Sequence, residues 1–291
     1  MKGYKIRLLT AMCIYGTIGI FLDSLPLSSA AIACFRGLFG GAILLIYLFL
    51  FRKPDVKGLL KYLPLLCFSG AVMGLNWMLL FESYRHTTVA TATVCYYLAP
   101  VFLILASPFL GERMTAKRLI CVGISLVGIV FVSGILEDTA ENSGHLLGIA
   151  LGVGAAVFYA VVMICNKKMA QVPPIEKTVV QLLAAGLALL PYVLSQGPIH
   201  FEALNTSHWI RLGCIILLHT GIAYLLYFDS VGHLSATTVG LFSYLDPVVA
   251  ICLSWPILNQ PMTLSTFFGA LLILGSALYS EWTPKKIGNQ S

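Results

Sequence analysis

Charge is what this sequence has least of. Only 10% of its 291 residues are charged, 58% are hydrophobic and the mean hydropathy is +0.90, whereas an ordinary globular domain carries roughly a quarter charged residues. A water-soluble domain is excluded, and lipid is the solvent such a surface needs. Metal chemistry has no footing either. There is no C-x-x-C pair, no D-D-x-x-D and no H-E-x-x-H, and the eight cysteines fall singly inside apolar runs, where they read as small packing residues. No metal and no cofactor is expected. The net charge of +6 does not gather into a basic face interleaved with aromatics, so no nucleic-acid partner is expected.

What is present is a series of long apolar runs. A helix needs roughly 20 such residues to cross a bilayer. Ten candidate spans lie between charges and helix breakers: Arg7–Leu22, Ala30–Phe51, Tyr62–Tyr84, Val89–Leu110, Lys117–Leu136, His145–Lys167, Thr178–Leu194, Trp209–Val231, Ala236–Leu258 and Leu264–Glu281. The expected fold is therefore an all-α integral membrane protein of ten transmembrane helices. With the amino terminus inside, 15 of the 18 lysines and arginines fall in inner segments, only Arg85 and Arg211 fall outside, and Arg36 lies within a span. The positive-inside rule then predicts a multi-pass protein of the cytoplasmic membrane with both termini cytoplasmic.

The chain also repeats itself. Gly74–His86 aligns without a gap to Gly221–His233 at an offset of 147, and the match runs on through Tyr97-Leu98 with Tyr244-Leu245 and Pro100-Val101 with Pro247-Val248. Ten identities over 28 positions include Phe-acid-Ser-x-x-His and a mid-span proline, which chance sharing of leucine and valine does not produce. Five spans per copy is an odd number, so the second copy, residues 141–291, enters the membrane inverted relative to the first, residues 1–140. Inverted repeats are the usual frame of secondary transporters, with solute held near the midplane between the halves.

The run Ala90–Pro100, the segment Leu110-Gly111-Glu112-Arg113-Met114-Thr115 and Gly128 form one motif set. Its second copy is Ala236–Pro247, Gln260-Pro261-Met262-Thr263, Gly269 and Gly275. Together they resemble the EamA family of the drug/metabolite transporter superfamily, over nearly the whole chain. The resemblance implies ten helices, cytoplasmic termini and proton-linked or facilitated movement of small metabolites, often amino-acid export. Gln260 departs from the family's acid in the second copy and Cys121 stands where glycine is common, so the loop acid reads as a structural or hinge device.

Ionisable groups inside spans are costly enough to need a partner, a cavity or a purpose. Asp246, about ten residues into the ninth span and directly before Pro247, is a candidate for proton coupling or for binding a substrate amine. Arg36 is suited to a substrate carboxylate or to an ion pair with Glu82. Glu82 and Asp229 are repeat partners near opposite faces, each followed four residues on by His86 or His233, and fit paired gates. Asn76, Trp77, Tyr96, Tyr97, Tyr159 and Tyr244 lie near mid-depth and suggest a pocket for an organic solute; His219 could relay protons. Pro100 and Pro247 are matching hinges.

These readings combine into a secondary transporter of a small organic metabolite, first an amino acid or related zwitterion, exported by alternating access. Its partners are the solute and the lipid bilayer, as a monomer or homodimer. The competing reading is an integral-membrane enzyme acting on a lipid or lipid-linked substrate, which would call for an acid-rich metal motif or a His/acid cluster at one face.

Overall fold

The computed structural model describes residues 2–52, 56–111, 115–132, 143–260 and 262–281, and among them there is no β-strand. The helices are α1 Lys2–Gly16, α2 Ile18–Leu22, α3 Ser29–Phe51, α4 Val56–His86, α5 Val89–Tyr96, α6 Ala99–Ala106 and α7 Ala116–Val132, followed by α8 Ser143–Lys168, α9 Pro174–Ser195, α10 Thr206–Ile216, α11 Ala223–Val231, α12 Ala236–Ser243, α13 Leu245–Leu258 and α14 Leu264–Glu281. A π-helical turn, Leu217–Ile222, joins α10 to α11.

Taken with their breaks, eight stretches among the described residues are long and apolar enough to cross a membrane: Lys2–Leu22, Ser29–Phe51, Gly58–His86, Val89–Phe109, Gly144–Lys168, Pro174–Ser195, Thr206–Val231 and Leu241–Leu258. Leu264–Ser280 is a shorter apolar helix and packs along α7. Cutting spans at charges made some of them too short. Helix α1 begins before Arg7 and α4 before Tyr62, because exposed Lys2, Lys5 and Arg7 ride on the polar end of a helix that continues past the apolar zone. Residues 133–136 of the expected fifth span, and Lys53, Glu112, Arg113, Met114, Pro261, Lys285 and Lys286, lie outside the described residues.

Proline chemistry sets two of the breaks. Pro100 has no N–H to offer the Tyr96 carbonyl, and α5 stops at Tyr96; Pro247 has none for Ser243, and α12 stops at Ser243. Both short helices have eight residues and start alike. Thr88 accepts a hydrogen bond from the Thr91 amide at 3.1 Å, and Ser235 from the Thr238 amide at 3.2 Å, at the same offset of 147.

Small residues hold the helices together, since apolar surface alone gives little preference for protein over lipid. Helix α3 crosses α9 backbone to backbone: a Cβ on Gly37 would lie 2.6 Å from the Gly186 amide nitrogen, and one on Gly186 would lie 2.7 Å from that of Leu38. Leu44, Leu182, Ala185 and Ile215 are fully buried around this crossing. Helices α7 and α14 meet through Gly128 and Gly269, with the Ser125 and Ser276 hydroxyls 2.6 Å apart. Helix α4 is tied to α8 by the Asn76 amide, which donates to the Ala155 carbonyl at 2.6 Å, and by the Ser83 hydroxyl, which donates to that of Gly148 at 2.6 Å.

Candidate functional site

Arg36 sits two turns into α3, 5% exposed. Its Nε donates to the Thr220 hydroxyl at 3.0 Å, and its guanidinium carbon lies 4.1 Å from the Trp77 ring centre and 6.0 Å from those of Phe81 and Tyr224. Aromatic faces stabilise a cation whose hydration has been stripped. Gly40, one turn along α3, makes room for Thr220, because a Cβ there would lie 2.4 Å from the threonine methyl. The terminal guanidinium nitrogens have no acceptor among the described residues, so the fork is free for a planar anion.

Of the two alternatives for Arg36, the ion pair with Glu82 is not formed. Glu82 is half-exposed and faces Arg85 at 3.8 Å and His86 at 3.3 Å on its own helix. Similar depth on two helices does not fix the direction in which each side chain points, and the neutral Thr220 takes the place the carboxylate was expected to fill.

Asp246 is in the first turn of α13. Its Oδ2 accepts from the Tyr97 hydroxyl at 3.0 Å, and that hydroxyl is also 3.1 Å from the Ser243 carbonyl oxygen. One phenol proton serves two acceptors while the carboxylate is charged. When the carboxyl carries a proton, it can donate to Tyr97 while Tyr97 donates to Ser243, so the same atoms accommodate both states. Helix α1 passes directly over this point: a Cβ on Gly16 would lie 2.5 Å from the Asp246 carbonyl oxygen.

Tyrosines gather near Asp246. Tyr96 stacks on Tyr159 with ring centres 5.2 Å apart and meets Tyr97 edge-on at 6.2 Å, and Tyr97 approaches Tyr244 at 6.1 Å. Tyr159 is nevertheless 38% exposed. Asn76 is fully buried and its carbonyl oxygen accepts from Tyr96 at 3.4 Å, which makes it a support for the ring. Tyr15, Tyr84, Tyr96 and Tyr159 all lie within electrostatic reach of Asp246, as does Arg36. Sequence reading missed Tyr15, Tyr84, Thr220 and Tyr224. A signal existed for one of them, because Tyr224 is the repeat partner of Trp77 and both rings face Arg36.

His219 lies in the π-turn with both ring nitrogens engaged, Nδ1 at 3.1 Å from the Cys214 carbonyl oxygen and Nε2 at 3.0 Å from the Thr17 hydroxyl. A carbonyl only accepts, so Nδ1 carries the proton in the neutral ring. Thr17 is also where the first span breaks between α1 and α2. Pro100 and Pro247 each lie in the first turn after a break, beside Tyr97 and Tyr244. Among the described residues no cluster of His, Cys, Asp or Glu has the makings of a metal site.

The two ends of the α1–α2 span differ. At its start, Tyr4 stacks on His233 with ring centres 3.9 Å apart and Arg7 pairs with Asp229. At its finish, a cavity of ≈ 580 Å³ opens between α2, α3, α4 and α5, with Asp23, Ser29, Ile32, Phe81, Tyr84 and Arg85 among its walls. Phe81 and Ile32 connect this cavity to Arg36, the first through its ring and the second by lying one turn away on α3. Repeat partners Glu82 and Asp229 thus differ in their partners: Glu82 pairs with Arg85 and His86 on its own helix, and Asp229 with Arg7 of α1.

A bundle of long apolar helices with two buried charges among tyrosines at its centre, a cavity at one end and an ion pair at the other, fits a membrane transporter. The chain belongs to the EamA-like transporter family, whose model matches residues 4–134 and 146–280. It is 32% identical over 257 residues to the uncharacterized transporter YxxF of Bacillus subtilis, covering 85% of this chain and 79% of that one. It is 27% identical to a probable terminal-alkyne amino-acid exporter of Streptantibioticus cattleyicolor, covering 92% and 86%, and 25% identical to an S-adenosylmethionine uptake transporter of Rickettsia conorii, covering 91% and 86%. Family and relatives are transporters, not enzymes, and the chain is a multi-pass membrane transporter.

Proposed function

We propose that the protein is a secondary transporter that moves an amino acid or a closely related zwitterion across the cytoplasmic membrane by alternating access. The observation that carries this reading is a free arginine fork and a carboxylate of opposite sign in one tyrosine-lined centre. Arg36 takes the solute carboxylate, Asp246 takes its ammonium or the coupling proton, and Trp77, Tyr96, Tyr97, Tyr159 and Tyr244 enclose its body. Two of the relatives are named for an amino acid and for S-adenosylmethionine, itself an amino acid.

The frame is two inverted five-helix repeats, residues 1–140 and 141–291, with both termini cytoplasmic. The matching caps and breaks of α5 and α12 support it. So does the α3–α9 crossing, where Gly41 meets Leu183 and Gly186 meets Leu38, contacts exchanged by one offset (183 − 38 = 145 and 186 − 41 = 145). Inverted halves make two states of similar energy available, and Pro100 and Pro247 are the hinges between them. Glu82 and Asp229 gate the two ends. The direction of net flux follows the solute and proton gradients.

Purified protein in liposomes preloaded with unlabelled amino acids tests this. Saturable counterflow of at least one labelled amino acid is expected; none across the proteinogenic set and S-adenosylmethionine, with the protein still folded, contradicts it.

A further inference from the structure

The cavity at the open end is more than an approach to Arg36. The Ser29 hydroxyl on its wall is 2% exposed and has no hydrogen-bond partner. An orphaned buried hydroxyl is a standing cost that a ligand would remove. Ser29 is also the first residue of the 23-residue α3. The Ser28 hydroxyl caps the Ala31 amide at 3.2 Å, while the amides of Ser29 and Ala30 have no acceptor within the helix. A helix start with free amides and the positive end of its dipole favours a carboxylate. Arg85 adds positive charge at the same wall, held in place by the Leu25 and Leu27 carbonyls. Asp23, also on the cavity wall, supplies an acceptor for an ammonium group.

Ser29 and Arg36 are seven residues apart, two turns along one face of α3, which is about 10 Å at 1.5 Å per residue. Ile32 lies between them and borders the cavity, and Phe81 and Tyr84 provide apolar wall for the rest of a solute.

We propose that this vestibule is a second solute site, in which the amino terminus of α3 and the Ser29 hydroxyl hold the carboxylate of an incoming zwitterion before it passes two turns down the helix to Arg36. The inference rests on the transport reading above. It assigns a role to the long α3 and to a hydroxyl that is otherwise unexplained, and it gives the solute carboxylate two stations on one helix face.

The test uses the full-length protein in liposomes, with L-methionine, L-phenylalanine and L-threonine as probes, each beside its amide, which keeps the ammonium and lacks the carboxylate. Ser29→Asp places an acid in the first turn, where it favours the helix, but repels a carboxylate. The expected result is a KM raised about tenfold or more for the transported amino acid, with its maximal rate and the KM of its amide close to wild type. Ser29→Ala is expected to raise the amino-acid KM by a smaller factor with the same selectivity. Equal effects on acid and amide, or no effect of either variant, overturn the vestibule site while wild-type flux still supports transport. Where wild-type protein instead carries another member of the proteinogenic set, that amino acid and its amide replace the probes; wild-type protein that carries none of the set and no S-adenosylmethionine overturns both.

Discussion

Arg36 is held by one hydrogen bond and a ring face, and that economy is what leaves its fork available. Lysine at this position keeps the charge but loses the planar fork and the contact of Nε with Thr220. Arg36→Lys is expected to weaken carboxylated solutes about tenfold or more, roughly 1.4 kcal/mol in binding, and to weaken their amides much less, as read by competition in the flux assay. Equal weakening points to a purely structural role. At Asp246 the two-acceptor geometry around Tyr97 accommodates a proton coming and going. Asp246→Asn should therefore remove the dependence of flux on a pH gradient while leaving exchange measurable in preloaded liposomes, whereas unchanged coupling assigns the proton elsewhere. Both residues stood out in the sequence because a charge inside an apolar run is conspicuous. Thr220 and Tyr15 did not, since a neutral hydroxyl within a span carries no such mark, and whether it faces lipid, a neighbour or a cavity depends on how the helix is turned.

At the scale of helices, the sequence patterns were most informative where covalent chemistry decides. Pro100 and Pro247 cannot close the α-helical ladder, and the breaks fall where the missing N–H requires. The π-turn at Leu217–Ile222 has no such signature. It arises from packing, with Thr220 under Arg36 and His219 against Thr17, and π-turns of this kind recur at functional sites. The same contrast applies to glycine. Composition shows 26 of them without saying which are needed. At Gly186 an added side chain meets the Leu38 backbone at 2.7 Å, while at Gly213 nothing lies within 4 Å. Gly186→Leu should destabilise the detergent-solubilised protein by more than the roughly 1–3 kcal/mol typical of overpacking, since backbone must move. Gly213→Ala should leave thermal stability unchanged or raise it slightly. A thermal melt of the two variants beside wild type checks both, and equal melting temperatures would mean that the α3–α9 crossing is not the tight contact described.

For the whole molecule, the difference between the two ends is the finding with most consequence. Asp229 reaches across to Arg7 while Glu82, its repeat partner, stays with Arg85 and His86 on its own helix. One end is closed by the Arg7–Asp229 pair and the other holds a cavity, which under the proposed alternating access is one of the two states of the carrier. The latch is solvent-exposed, so its removal should cost the fold little and act mainly on the balance between states. The most direct test places spin labels on an otherwise cysteine-free, transport-active protein in nanodiscs, one pair at Ser24 and Thr87 across the cavity and one at Lys5 and Gly232 across the latch. In the Arg7→Ala variant the account predicts reciprocal change, with the Ser24–Thr87 distance distribution shifting shorter as the Lys5–Gly232 distribution shifts longer. Distances that stay fixed at both ends, or that lengthen together, would contradict alternating access in this protein.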